Sequence, residues 1–106
     1  MCYYQELAAS DKGYIVRCNQ CNYFQVYYAS TILSISHKAF AQWIRYVEKL
    51  NVEMYDNNRR FARSCVIATP SEGVHFALTG PELLELQSLV HEAEVEVTAL
   101  KLMELF

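Results

Sequence analysis

Two cysteines three residues apart, in the run Cys18-Asn19-Gln20-Cys21, are the residues of this chain best suited to chemistry. Such a pair can aim two sulfurs at one point, either to grip a soft metal ion or to close a small redox loop. Zn²⁺ favours thiolate and takes four donors in a tetrahedron, at about 2.3 Å to sulfur. Cys2, Cys65 and His75 are the candidates to complete that set. If residues 10–13 form a four-residue loop, the amino-terminal ribbon sets Ala9 opposite Tyr14, Leu7 opposite Val16 and Cys2 opposite Cys21. Opposed strand residues have β-carbons about 4.5–5.5 Å apart, so three sulfurs would converge at one end of the ribbon.

The fourth ligand stays open between Cys65, His75 and water. With residues 70–73 as a loop, Cys65 falls opposite Leu78 on an apolar face, and His75 opposite Ala68 on the other. Superposing two helix caps, described below, places Cys65 beside Cys21 and favours it. Redox chemistry at Cys18 and Cys21 is the second reading. A thioredoxin-like pair belongs at a helix N-terminus, where the dipole lowers the thiol pKa. Here the pair lies between two strands, and Asn19 and Gln20 bring no cation. Reduced thiols serving only as small side chains are the plain alternative to both.

The elements that must position these residues can be read from pattern. Residues 3–9 and 14–18 are strand-like runs around Ser10-Asp11-Lys12-Gly13, a turn in which Gly13 can take positive φ. Residues 23–28 form a third strand that sends Phe24, Val26 and Tyr28 inward and leaves Tyr23, Gln25 and Tyr27 outside. Residues 32–35 read as a fourth. Ser36 is placed to cap a helix over about residues 37–54, with Phe40, Trp43, Ile44, Val47 and Leu50 on one stripe. Residues 64–68 and 74–78 read as strands around Pro70-Ser71-Glu72-Gly73. Thr79-Gly80-Pro81-Glu82 opens a second helix with a capping box, and nothing breaks it before the C-terminus.

A hairpin thus feeds a capped helix twice, a ββα unit repeated after an N-terminal hairpin. The expected fold is α+β: one antiparallel sheet with two helices on one face, residues 1–106 forming a single domain. The last helix carries Leu83, Leu86, Val90, Ala93, Val97 and Leu100 at a 3-4-3-4-3 spacing, the seam of a helix pair. Further apolar residues, Leu102 to Phe106 among them, exceed what one small sheet can cover. A homodimer through this helix is the expected partner arrangement.

The totals exclude several classes. With 106 residues, 53% hydrophobic and 20% charged, the chain is globular. Its net charge of −3 makes nucleic acid an unlikely partner; Arg59, Arg60 and Arg63 cluster, but with no Gly-rich cradle beside them. No secretory leader pattern opens the chain and no apolar run reaches the roughly 20 residues that span a bilayer, so a cytoplasmic protein with reduced thiols and no membrane contact is expected. No Gly-x-Ser-x-Gly, phosphate loop or His-Glu-x-x-His helix appears, and no His pairs with an acid as a general base. The chain reads as a non-enzymatic interaction or regulatory module.

The string from Gly13 to Cys21, followed by Phe24-Gln25-Val26 and the step from Leu33 to Phe40, resembles a family of short bacterial proteins of unknown function. In that family a Gly-Tyr, a Cys-x-x-Cys and a Gln-hydrophobic strand precede a helix opening on Phe. The resemblance implies neither an activity nor a ligand.

Overall fold

The computed structural model describes residues 3–55 and 64–104. Strands β1 (Tyr4–Ala9), β2 (Gly13–Cys18), β3 (Tyr23–Tyr28) and β4 (Thr31–Ser36) lead into α1 (His37–Glu48). A 3₁₀ turn (Val52–Tyr55), strands β5 (Cys65–Ala68) and β6 (His75–Leu78) and the long helix α2 (Gly80–Glu104) follow. The class is α+β. Among the described residues the strands do not merge into one sheet: β1 to β4 form an antiparallel meander, and β5 pairs with β6 in a separate ladder.

Alternation sets the inner face. Phe24, Val26 and Tyr28 are buried with Ile15, Leu33 and Ile35, and α1 and α2 lie over them. The β5–β6 ladder contributes Cys65, Ile67, Phe76 and Leu78 to the same core. Phe76 joins the layers, meeting the Tyr28 ring edge-on at 6.3 Å and the Trp43 ring at 6.1 Å. Side chains of α1 also close the exposed edge of β5. Trp43 Nε1 donates to the Ala68 carbonyl at 2.9 Å, and Tyr46 Oη accepts from the Ala68 N–H at 3.2 Å, so backbone groups that would template another strand are satisfied.

Both helix caps form as expected. Ser36 Oγ accepts from Ala39 N–H. Thr79 and Glu82 make a reciprocal box, Glu82 N–H to Thr79 Oγ1 at 3.2 Å and Thr79 N–H to Glu82 Oε1 at 2.9 Å. The buried Glu82 also accepts from Lys12 Nζ at 3.3 Å, which ties the β1–β2 tip to the start of α2. α1 is shorter than its apolar stripe predicts. It ends at Glu48, and Gln87 Nε2 of α2 donates to the carbonyls of Val47 and Leu50, groups that a longer helix would have used internally.

Three local features depart from the expected pattern. Gly13 does not take positive φ, which among the glycines only Gly73 does. Gly13 is needed for space, because a β-carbon there would strike the Tyr27 carbonyl oxygen and lie 2.7 Å from Tyr28 Cδ1. The β3–β4 turn instead places Ala29 (φ 49°) and Ser30 (φ 66°) in the left-handed region, the geometry of a two-residue hairpin that matches strand twist. Finally, β1 bulges at Leu7. Ala9 faces Tyr14 and Ala8 faces Ile15, but beyond the bulge Glu6, Gln5 and Tyr4 face Val16, Arg17 and Cys18. The expected pairing of Leu7 with Val16 is therefore replaced. The extra residue lets Leu7 and Ala8 both enter the core.

Tyr28 supplies a pH test. Its hydroxyl donates to the Glu82 carbonyl at 2.8 Å, and burial first, then Glu85 and Glu82, push its pKa well above the ordinary 10.0. The folded state then holds this proton more tightly than the unfolded chain. Above about pH 10 stability should fall as pH rises. Urea titrations of Tyr28→Phe should show a shallower alkaline decline than the parent protein, together with a loss of about 1 kcal/mol at neutral pH. Equal alkaline slopes in the two proteins would contradict the assignment.

Candidate metal centre

The Cys18–Cys21 pair is the turn of the β2–β3 hairpin. β2 ends on Cys18, β3 begins at Tyr23, and the intervening residues turn through an Asn22 N–H bond to the Cys18 carbonyl at 3.0 Å. Asn22 takes φ 59°. Asn is among the few residues that tolerate this left-handed conformation, and there it returns the chain to β3. Within the turn the Cys21 N–H donates to Cys18 Sγ at 3.5 Å. Backbone N–H bonds to coordinating atoms help tune metal sites. The two thiols are not joined to each other as a disulfide.

Cys18 is buried and Cys21 exposed. Cys18 stands opposite Tyr4, on the sheet face away from the helices, and is absent from the main apolar core. The Asn19 N–H donates to the Tyr3 carbonyl at 2.9 Å, so the amino-terminal segment is fastened to the knuckle at residue 3. Cys2 itself, the predicted third ligand, lies outside the described residues, as do Arg59, Arg60 and Arg63.

The two candidates for the fourth position are placed elsewhere. Cys65 opposes Leu78 and is buried in the main core, in the register expected. Burial pushes its thiol pKa up, an effect the Ser64 hydrogen bond only partly offsets. His75 opposes Ala68 and is exposed. Among the described residues, no three His, Cys, Asp or Glu side chains gather as a ligand set, so neither Cys65 nor His75 joins Cys18 and Cys21. The superposition of caps that favoured Cys65 fails because the two hairpins lie in separate sheets.

The outer face of the meander is aromatic. Tyr14 and Tyr27 stack with centroids 5.1 Å apart, beside the exposed Tyr4, Tyr23 and Ile32. Asn22 is the knuckle residue that sequence reasoning passed over. Its signal was legible: an Asn directly after the second cysteine marks a position that can accept positive φ.

An α+β domain with a cysteine knuckle at a hairpin turn is the class that fold and site define. The chain belongs to the family of unknown function DUF6686, whose family model matches residues 1–105. No curated protein and no solved structure matches it. Among the described residues, no helix is long and apolar enough to cross a membrane.

Proposed function

We propose that this protein is a small, non-enzymatic interaction or regulatory module of the cytoplasm, built around a structural zinc ion. Cys18 and Cys21 are the core ligands and Cys2 the third. The single observation that carries this reading is the knuckle: a tight turn with an N–H directed at Cys18 Sγ and a left-handed Asn22 after the second cysteine. The bond from Asn19 to the Tyr3 carbonyl supports Cys2, because it brings the chain to the knuckle one residue away. Water is the fourth donor in this proposal, since among the described residues neither Cys65 nor His75 gathers with Cys18 and Cys21. When bound, the ion would cross-link the first strand to the β2–β3 turn, coupling its binding energy to folding.

Elemental analysis of freshly purified protein should find about one zinc per chain, falling to background in Cys18→Ser and in Cys21→Ser. Metal-free protein whose two thiols convert reversibly to an intramolecular disulfide would replace this reading with thiol redox chemistry.

We further propose that the module is a homodimer through α2. The helix is about 38 Å long at 1.5 Å per residue, against lateral extents of 25 and 24 Å for the molecule. Leu84, Val95 and Leu102 are each more than half exposed. Their spacings of 11 and 7 put them on one stripe, opposite the buried Leu86 and Val90. A second copy of the same stripe is a fitting cover. Sedimentation should give twice the chain mass for the parent and a monomer for Leu102→Glu; a monomeric parent would overturn the dimer.

A further inference from the structure

A cavity of about 630 Å³ opens beside the knuckle, between the ends of β1 and β2, the start of α1 and the last turns of α2. Its charge is at odds with the rest of the molecule. The chain carries 12 acidic and 9 basic residues, yet none of the described residues lining this cavity is a carboxylate. Arg17 and Lys101 line it instead, with His37 and the side-chain amides of Gln5 and Asn22. We infer that this cleft is a binding site for an oxyanion, the phosphate or carboxylate head of a small molecule.

Arg17 occupies a position that strand alternation reserves for the core. It is paired with Phe24, itself buried on the helix side of the sheet. An apolar residue would serve packing there, whereas Arg17 is half-buried and lines the cavity. Its Nη2 donates to Gln5 Oε1 at 3.1 Å, which occupies one of five guanidinium donors. Among the described residues, neither Arg17 nor Lys101 makes an ion pair. Two cations therefore line a recess whose described lining holds no carboxylate, while Glu48 and Glu94 line the adjoining cavity that His37 and Lys101 also border.

The start of α1 adds to the same field. His37 is its first residue, and the first turn holds no acidic side chain that would neutralise the positive end of the helix dipole. Among the described residues the Ser36 hydroxyl accepts from the Ala39 N–H. Among the described residues His37 Nδ1 is buried without a hydrogen-bond partner, and its ring leans on Phe24 at a centroid distance of 5.5 Å. Leu100 and Met103 supply an apolar wall. The combination suits an anionic head with an apolar body, in a cavity of the usual size for small ligands. A planar guanidinium with an ammonium beside it is the standard donor pair for phosphate and carboxylate.

Calorimetric and amide-NMR titrations of the full chain at low ionic strength test this, with sodium pyrophosphate in one arm and citrate in the other. The expected result is saturable binding with shifts centred on Asn22, His37 and Lys38. Arg17→Gln and Lys101→Gln should each weaken it about tenfold or more, while Lys49→Gln, far from the cleft on the other end of α1, leaves it unchanged. Tighter pyrophosphate binding assigns a phosphate head and tighter citrate binding a carboxylate head. No saturable binding in either arm, or equal weakening by Lys49→Gln, overturns the site. Lys101 is exposed, so Lys101→Gln decides the matter even if Arg17→Gln does not fold.

Discussion

Gly13→Ala should destabilise the protein by about 3 kcal/mol or more, or prevent folding outright, although it adds a single methyl group. That methyl would be driven into the Tyr27 carbonyl oxygen and to 2.7 Å from Tyr28 Cδ1. Neither neighbour can yield cheaply. The Tyr27 backbone belongs to the central strand pair, and Tyr28 is fully buried with its hydroxyl bonded to the Glu82 carbonyl. Gly73→Ala provides the contrast. Gly73 has φ +78° but nothing within 4 Å of its would-be β-carbon, so only backbone strain of about 1–2 kcal/mol applies. Urea unfolding of the two variants separates steric from conformational need. A Gly13→Ala protein within about 0.5 kcal/mol of the parent, as an ordinary surface change would be, would contradict the close approach of β2 to β3.

Phe76→Ala should cost about 3–5 kcal/mol. Phe76 is buried on β6, edge-on to Tyr28 of the meander and tilted against Trp43 of α1. Its removal leaves a void where three layers meet, and two of the neighbours are held by hydrogen bonds to backbone carbonyls. Tyr28 is fixed to Glu82 and Trp43 to Ala68, so collapse around the gap is restricted and the higher end of the range applies. At roughly 4–8 °C per kcal/mol for a domain of this size, thermal unfolding should drop by at least about 12 °C. A shift of only a few degrees would mean that β5–β6 is a loose appendage and not part of the core.

Much of the fold was legible because it is local. The inward set Phe24, Val26 and Tyr28 follows from strand alternation, and the Thr79–Glu82 box from residue types three apart. The pairing of Cys65 with Leu78 followed from loop chemistry alone. What was not legible depends on partners far along the chain. α1 stops at Glu48, and Gln87, forty residues after Val47, takes its last carbonyls. The bulge at Leu7 exists because both Leu7 and Ala8 find room under α2, which no property of the ribbon itself announces. The separation of β5–β6 from the meander is likewise tertiary, with Trp43 and Tyr46 of α1 bonded to the Ala68 backbone at the end of β5.

The site divides along the same line. The knuckle was visible from two cysteines three residues apart, while the left-handed Asn22 that closes it was legible but passed over. Its completion was not, because Cys65 and Cys21 look equivalent only if two hairpins occupy equivalent places in one sheet. The electropositive cleft was invisible for a related reason. Arg17, His37 and Lys101 are scattered over 85 positions and meet only when the end of α2 returns to the start of α1.

X-ray absorption at the zinc edge of the purified chain tests the metal centre most directly. A sulfur shell at about 2.3 Å, made by three scatterers and reduced in Cys2→Ser as well as in Cys18→Ser, is the expected result. A zinc-free sample, or bound zinc surrounded only by nitrogen and oxygen, would contradict it.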